Sequence, residues 1–368
     1  MSFSATDHEY MAEALRLARR GLYSTSPNPR VGCLIVKQDR VIGRGWHERA
    51  GQQHAEIIAL TEAGGDARGA SAYVTLEPCA HQGRTGACAK ALIEAGIDRV
   101  VVSGIDPFPA VSGQGVEIMK AAGIRVDTGL LGSQAQWLNR GFFSRFERQR
   151  PWLRVKLAAS LDGRTALEDG ASQWITGSAA RQDVHRWRAR SCAILTGIGT
   201  MLFDRPGLDV RLAGDFRQPL RVIADSNWQT PADAPMLQSG AAVLVGGLAN
   251  ATVPEGLANS NAELIKLPAT PDGRIKLPAL LQQLAEREVN EIQVEAGPTL
   301  AGGLLQAGLV DELLLYMAPK LIGDPARGLF NIGPLTGIDQ CPEFSLLDSR
   351  MIGPDLRLQL RPAKQGES

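Results

Sequence analysis

The chain has 368 residues, long for a single hydrophobic core, so two domains are expected. Its composition, 44% hydrophobic and 21% charged, is ordinary for a globular protein, and 39 Lys and Arg balance 39 Asp and Glu. That balance argues against a protein that grips long nucleic acid through bulk positive charge; no apolar run reaches the ~18 residues of a membrane span, and five cysteines do not make a disulfide framework.

The N-terminus shows no basic region followed by an apolar one, so no signal peptide is read and the cytoplasm is the expected compartment. Asp7 is placed to cap a helix whose apolar positions, Met11, Ala14, Leu15 and Ala18, recur at helical spacing, with Gly21 just beyond its end. Two prolines then flank Asn28 in a rigid extended loop. Asn28 is either a plain connector or a substrate-facing amide. Strands are predicted over 31–36 and 41–45, joined by a turn at 38–40. His47 follows, as a loop residue or a substrate contact. Cys33 and Cys192 lie in apolar runs and are expected to pack as small hydrophobes.

His54-Ala55-Glu56 opens the next helix, which Gly64-Gly65 ends, and a strand over 72–76 leads through Pro78 to Cys79. Cys88 starts a further helix over 89–95. One imidazole and two thiols leave a tetrahedral zinc ion one ligand short, and a nearby carboxylate can carry protons. At the first turn of a helix, His54 can meet a metal beyond the helix end while Glu56 still reaches the same place. The zinc-deaminase signature joins H-x-E to P-C-x-x-C, whereas here residues 80–87 separate the cysteines. A polar, glycine-rich insert of this length loops out at a small entropic cost. It would hang Arg84 and Thr85 over the site, with His81 as a competing ligand or a loop residue. A closed structural zinc site normally shows four Cys or His ligands, and this motif offers three plus a glutamate. A strand over 99–103, a helix over 114–122 and a strand over 124–127 complete a pattern of helices on a mostly parallel sheet.

The charged run 145–151 ends in proline and marks a domain boundary. A strand is predicted over 152–158, a tight turn over 160–165, a helix over 183–190 and a short strand over 192–195. Gly197-Ile198-Gly199 imitates a dinucleotide fingerprint, but Leu202 replaces the third glycine and Asp225 fits the acidic position only if stretched, so a Rossmann fold is rejected. After a strand over 291–295 comes Gly297-Pro298-Thr299-Leu300-Ala301-Gly302-Gly303, which is either a phosphate-binding turn at a helix N-terminus or a plain tight turn. Residues 341–361 read as strand segments around Gly353-Pro354, with a frayed tail after them.

Together, Asn28 to Cys33, His54-Ala55-Glu56, and Thr75-Leu76-Glu77-Pro78-Cys79 with His81, Gly83-Arg84-Thr85 and Cys88 resemble the deaminase half of the bifunctional riboflavin-biosynthesis proteins. These are diaminohydroxyphosphoribosylaminopyrimidine deaminase and 5-amino-6-(5-phosphoribosylamino)uracil reductase in one chain. Lys156 to Thr165, Ser172 to Thr176, Val294 to Ala301, Asp311-Glu312-Leu313 and Ala318-Pro319-Lys320 are similar to the reductase half. In that family the longer gap between the cysteines is normal.

The resemblance implies an α/β protein of two domains. A cytidine-deaminase-like α/β/α domain with a mixed sheet (1–147) would precede a dihydrofolate-reductase-like α/β domain (148–368). It implies one Zn²⁺ held by His54, Cys79 and Cys88, with Glu56 carrying protons, and leaves Asn28, His47 and Arg84 as substrate contacts. For the reductase it implies NADPH contacts at Ala158, Trp174, Thr200, Asp204, Ser226 and the turn Gly297, Pro298, Thr299, Leu300, Ala301, Gly302 and Gly303. Substrate contacts would be Ser172, Arg188, Leu208, Arg211 and Glu295. Arginines suit a ribose 5′-phosphate, and Trp174 offers a flat apolar face. No acid–base residue stands out in this half, which suits hydride transfer from a cofactor. The family also implies a small phosphorylated pyrimidine as substrate, no nucleic-acid or membrane partner, and a homo-oligomer. Rival readings are a nucleoside or RNA base deaminase with a degenerate second domain, and a non-catalytic zinc-binding module.

Overall fold

A computed structural model describes residues 3–80, 87–109 and 111–363. His81, Arg84 and Thr85, and the end of the tail, lie outside the described residues. The chain divides into two compact units, Met1–Gln149 and Arg150–Ser368.

In chain order the first unit comprises α1 (Ala5–Ala18), β1 (Gly32–Lys37), β2 (Arg40–Trp46), α2 (Ala55–Ala63), β3 (Ser71–Val74), α3 (Cys88–Glu94), β4 (Arg99–Val102), α4 (Gln114–Ala121), β5 (Arg125–Thr128), α5 (Gly132–Leu138) and α6 (Arg140–Arg148). Its sheet has the order β2-β1-β3-β4-β5, with β1 antiparallel to both neighbours and β3, β4 and β5 parallel. The sheet is therefore mixed. Alternation along β1 sends Cys33 and Ile35 into the core with α2, and Leu34 and Val36 into the core with α1.

Two details differ from the sequence reading. Ser4, not Asp7, caps α1. The Ser4 hydroxyl accepts from the Asp7 N–H at 3.0 Å, and the Asp7 carboxylate accepts from the Ser4 N–H at 2.9 Å, a reciprocal capping box. The buried Asp7 also accepts from the Tyr73 hydroxyl and from Arg99, both at 2.7 Å. The second difference is that β3 ends at Val74 rather than at residue 76. The Thr75 N–H still donates to the Gly32 carbonyl oxygen at 3.1 Å, but the Gly32 N–H goes to the Thr75 hydroxyl at 3.0 Å instead of its backbone carbonyl, so the ladder ends there.

The second unit comprises β6 (Trp152–Ser160), β7 (Ala166–Leu167), α7 (Ser178–Arg190), β8 (Ala193–Gly197), α8 (Ile198–Asp204), β9 (Leu220–Ala224), α9 (Pro235–Gln238), β10 (Val243–Leu248), α10 (Glu255–Ala258), β11 (Glu263–Leu267), α11 (Leu277–Glu286), β12 (Glu291–Val294), α12 (Pro298–Gln306), β13 (Glu312–Ala318), β14 (Ala326–Arg327), β15 (Phe344–Ile352) and β16 (Asp355–Pro362). Nine strands form one sheet in the order β11-β10-β9-β8-β12-β6-β13-β16-β15. It is parallel from β11 to β13, and the hairpin of β15 and β16 closes it antiparallel, turning at Gly353-Pro354. The helix expected over 183–190 starts earlier, at Ser178, after Gly177 donates its N–H to the Asp355 carboxylate at 2.8 Å.

The two faces of this sheet differ in chemistry. Leu153, Val155, Leu157 and Ala159 of β6 join the main apolar core, while Arg154 and Lys156 alternate onto the face that α7 covers. There Arg154, fully buried, reaches Glu312 at 2.9 Å and Glu291 at 3.2 Å, and its guanidinium lies 4.5 Å from the Trp187 ring centre. Asp183 accepts from Tyr316 at 2.7 Å and from Arg357 at 2.9 Å. Each buried charge thus meets its opposite, which is the condition for tolerating it. Replacing Arg154 by Met strands Glu312 without its guanidinium and should destabilise the chain by about 3–5 kcal/mol. Urea unfolding followed by tryptophan fluorescence measures this, and the double change to Met at Arg154 and Glu312 should recover most of the loss.

Candidate functional site

The first site is assembled by close backbone packing. A Cβ on Gly45 would lie 2.0 Å from the Ala55 carbonyl oxygen, and one on Gly43 would lie 2.1 Å from that of Ala59. Only glycine lets α2 settle this closely on β2. The contact fixes the start of α2, where His54 is the N-cap in an extended conformation and Glu56 sits in the first turn. From the other side, Cys79 follows Pro78, and Cys88 begins α3. The Cys88 N–H points at the Cys79 sulfur at 3.4 Å, and the Ala89 N–H donates to the Cys79 carbonyl at 3.2 Å.

His54 Nδ1 lies 3.2 Å from Cys88 Sγ and 3.6 Å from Cys79 Sγ, and the three atoms are all within 4.8 Å of one another. A tetrahedral ion with Zn–S of about 2.3 Å and Zn–N of about 2.0 Å sets nitrogen and sulfur roughly 3.5 Å apart, so this donor set fits zinc. Glu56 is 3% exposed, and its Oε2 finds no hydrogen-bond partner among the described residues. Burial pushes its carboxyl up to about 7, against the opposing pull of His54. A carboxyl poised near neutrality, with one oxygen uncommitted, can both accept and release a proton. A hydrogen bond from the Cys88 thiol, opposed by burial, lowers the Cys79 thiol from its ordinary range.

Asn28 and His47 stand beside this centre. The His47 ring packs edge-on to His54, with centroids 5.3 Å apart. Its Nδ1 faces the Gln53 carbonyl oxygen at 3.0 Å, and its Nε2 lies 3.1 Å from the Asn28 amide nitrogen. These partners make Nδ1 the donor and Nε2 the acceptor, a neutral ring, and burial lowers its basicity accordingly. Asn28 therefore spends one amide hydrogen on His47. Arg84 lies outside the described residues.

In the second unit, the implied contacts gather at the C-terminal ends of adjacent parallel strands, β9, β8, β12 and β6, where open α/β sheets bind ligands. Ser226 follows β9, and its hydroxyl accepts from the Ile275 N–H at 3.1 Å. Thr200 and Asp204 lie on α8, after β8. Gly297 is the N-cap of α12, and no side chain caps that helix. Pro298, Thr299, Leu300, Ala301, Gly302 and Gly303 form the first turns, and a Cβ on Gly302 would lie 2.1 Å from the Asn331 carbonyl oxygen. Ala158 lies near the end of β6. Trp174 is 63% exposed, with the Arg181 guanidinium 4.5 Å from its ring centre and its carbonyl oxygen accepting from Lys320 at 3.1 Å. Ser172 is on the same segment.

Glu295 is gripped by Arg188 through two bonds of 2.6 and 2.9 Å, and Gln293 adds a third of 2.9 Å. Arg188 also donates to the Asp209 carbonyl oxygen at 2.9 Å, so its fork already has partners within the protein. The Arg211 N–H donates to His185 Nδ1 at 3.2 Å. Leu208 is buried with a left-handed φ of 48°, packed with Met201 and Ile194, so contact with a ligand would run through its backbone.

Sequence reasoning missed two features. Gly197-Ile198-Gly199, set aside as an incomplete fingerprint, lies at this edge: Leu300 packs 3.5 Å from where a Gly197 Cβ would be. Lys156 opens the reductase-like motif, but the sequence reading gives it no side-chain role, although its charge contributes to holding Glu295 ionised. Its place in an alternating run between Arg154 and Ala158 was the available signal, since every second residue of a half-polar strand shares a face.

Burial pushes the Glu295 carboxyl up, but Arg188 and then Lys156 outweigh it and hold it at about 2, below the ordinary 4.5. A depressed folded pKa contributes stability that is present above 4.5 and is lost as pH falls toward 2. With Arg188 replaced by Met, burial regains weight, and acid unfolding should begin at higher pH than in the wild type. An acid titration of tryptophan fluorescence checks the direction.

Two family models match the chain. One, described as the RibD C-terminal domain, covers residues 151–358, and the other, the cytidine and deoxycytidylate deaminase zinc-binding region, covers residues 4–104. The riboflavin biosynthesis protein RibD of Escherichia coli is 47% identical over 369 residues, spanning 96% of this chain and 99% of that protein. RibD of Acinetobacter baumannii, a solved structure, superposes with a TM-score of 0.91 at 45% identity, covering 98% of this chain and 99% of the other. A diaminohydroxyphosphoribosylaminopyrimidine deaminase/5-amino-6-(5-phosphoribosylamino)uracil reductase from Thermotoga maritima gives a TM-score of 0.86 at 32% identity, covering 97% and 99%.

Proposed function

The chain belongs to the RibD family, and on that premise we propose which of its residues carry the two reactions. It is a bifunctional deaminase and reductase of riboflavin biosynthesis, with a zinc-binding deaminase domain and an NADPH-dependent reductase domain. Its substrate is a small phosphorylated pyrimidine. We assign it as 2,5-diamino-6-ribosylamino-4(3H)-pyrimidinone 5′-phosphate, and the final product as 5-amino-6-ribitylamino-2,4(1H,3H)-pyrimidinedione 5′-phosphate. Residues 1–147 take the deaminase role and 148–368 the reductase role.

The observation that carries the deaminase assignment is the convergence of His54 Nδ1 with the two sulfurs beside an uncommitted Glu56 oxygen. His54, Cys79 and Cys88 hold the metal. Bound zinc supplies a Lewis acid that makes water nucleophilic near neutral pH. Glu56 takes the proton released by water and returns it to the departing amine, through the carboxylate oxygen that has no partner among the described residues. Asn28 and His47 border the substrate.

In the reductase, NADPH supplies the hydride. The backbone N–H groups at the start of α12 would hold its phosphates, and Ala158, Thr200, Asp204, Ser226 and Trp174 would make its other contacts. Glu295 stays ionised and accepts from sugar hydroxyls, held in place by Arg188. Arg211 offers charge to the 5′-phosphate, and Ser172 and Leu208 complete the substrate contacts.

Among the described residues no helix is long and apolar enough to cross a membrane. We place the enzyme in the cytoplasm, without nucleic-acid or membrane partners. We also propose a homo-oligomer, since the edge strand β15 exposes Leu346, Leu347 and Met351.

Replacing Glu56 by Gln should leave zinc content at one per chain and NADPH oxidation on the deaminated substrate at the wild-type rate. Ammonia release should fall by at least about 100-fold, in the range of a lost general acid–base group. Ammonia release at the wild-type rate would remove Glu56 from the mechanism.

A further inference from the structure

The segment that delivers Cys79 is gripped by a buried carboxylate to which the zinc motif assigns no role. Glu77 is 4% exposed and lies two positions before Cys79. Its Oε2 accepts from the Gly113 N–H at 2.9 Å and from the Asp106 N–H at 3.2 Å, and its Oε1 accepts from the Val116 N–H at 3.2 Å. Gly113 is the N-cap of α4, and Val116 lies in the first turn of that helix. The negative carboxylate thus satisfies backbone donors at the positive end of the helix, where an anion is favoured. The Glu77 N–H donates in turn to the Gly104 carbonyl oxygen at 2.9 Å, so the residue is held at both side chain and backbone.

The next residue is clamped by the same helix. A Cβ on Gly115 would lie 2.0 Å from the Pro78 carbonyl oxygen, which therefore rests directly on the α4 backbone. Cys79 follows with no intervening residue. The start of α4 thereby sets the path of the chain into a metal ligand, while α2 sets His54 and α3 sets Cys88.

We infer that Glu77 is a positioning residue for the metal centre, fixing Cys79 Sγ at its ligating position through the N-terminus of α4. This rests on the zinc reading given above. The carboxylate is suited to the task because both oxygens accept and neither donates. A glutamine is nearly the same shape, but whichever way its amide turns, an N–H₂ group faces at least one of the three backbone donors. Cys79 would then lose its fixed approach, although all three ligands and Glu56 remain.

The test compares wild type, Glu77→Gln and Gly115→Ala as full-length chains. Zinc affinity is measured by competition with a chromophoric chelator, and the sulfur-to-metal charge-transfer band is recorded after Co²⁺ substitution. Removing a partner that orients a metal ligand typically weakens affinity by about 10- to 100-fold, and Glu77→Gln should fall in that range. Its charge-transfer band should weaken, its reductase rate on deaminated substrate should stay at wild type, and saturating zinc should restore ammonia release. Gly115→Ala keeps the Glu77 side chain but sets a methyl 2.0 Å from the Pro78 carbonyl oxygen and 3.3 Å from Glu77 Oε1. It disturbs the same clamp from the helix side and should weaken zinc binding similarly, which keeps the test decisive if Glu77→Gln does not fold. Wild-type affinity with an unchanged cobalt spectrum in both variants would overturn the inference while leaving the metal centre intact. A wild-type chain that binds no zinc would overturn the metal centre itself, and the inference with it.

Discussion

The carbonyl oxygens of Ala55 and Ala59 rest where side chains of Gly45 and Gly43 would otherwise be, and the metal centre depends on that contact. A methyl group at either glycine would push α2 off β2 and carry His54 and Glu56 with it. The same device recurs at Gly115 against Pro78, so helices approach ligand-bearing segments at backbone distance on two sides of the site. Such contacts leave no side chain to rearrange, which makes ligand positions a property of the backbone rather than of packing. Cys79 and Cys88 are also tied directly to each other, by the Cys88 N–H at the Cys79 sulfur and the Ala89 N–H at the Cys79 carbonyl oxygen.

The second unit meets a different constraint. Its central strands are buried on both faces, yet one face carries Arg154, Lys156, Glu291, Glu295 and Glu312. Charges survive there because they pair, and pairing ties α7 to the sheet through Asp183, Arg188 and Arg190. Glu295 lies at the C-terminal end of this face, immediately after β12. The network that ties α7 to the sheet thus also fixes the Glu295 carboxylate.

The donor set was legible from its residue types, although the gap between Cys79 and Cys88 departs from the deaminase signature and only the family resemblance accommodates it; the fold brings His54 Nδ1 and both sulfurs within 4.8 Å of one another. The alternating β/α order of the first unit was legible from hydrophobic period, and so were the strand segments around Gly353-Pro354, whereas β9, β10 and β11 and the helices between them were not read. Less visible was anything set by partners distant in sequence. Asp7 looked like a cap, but tertiary bonds to Tyr73 and Arg99 make it the inner half of a capping box that Ser4 begins. The commitment of the Arg188 fork to Glu295 could not be seen across the intervening residues. The Gly197 turn was discounted for lacking a third glycine, yet it lies beside Leu300 because β8 and β12 are neighbours, a fact of strand order that no local motif encodes.

One measurement addresses the central claim, that one chain houses a zinc deaminase followed by an NADPH reductase. The purified zinc-loaded enzyme is incubated with the diaminopyrimidinone ribosylamine 5′-phosphate, with and without NADPH, and the products are resolved by mass spectrometry. The account predicts exchange of an amino group for oxygen without NADPH, and a further gain of two hydrogens only when NADPH is present. Reduction without prior loss of ammonia, or unchanged substrate in both reactions, would contradict it.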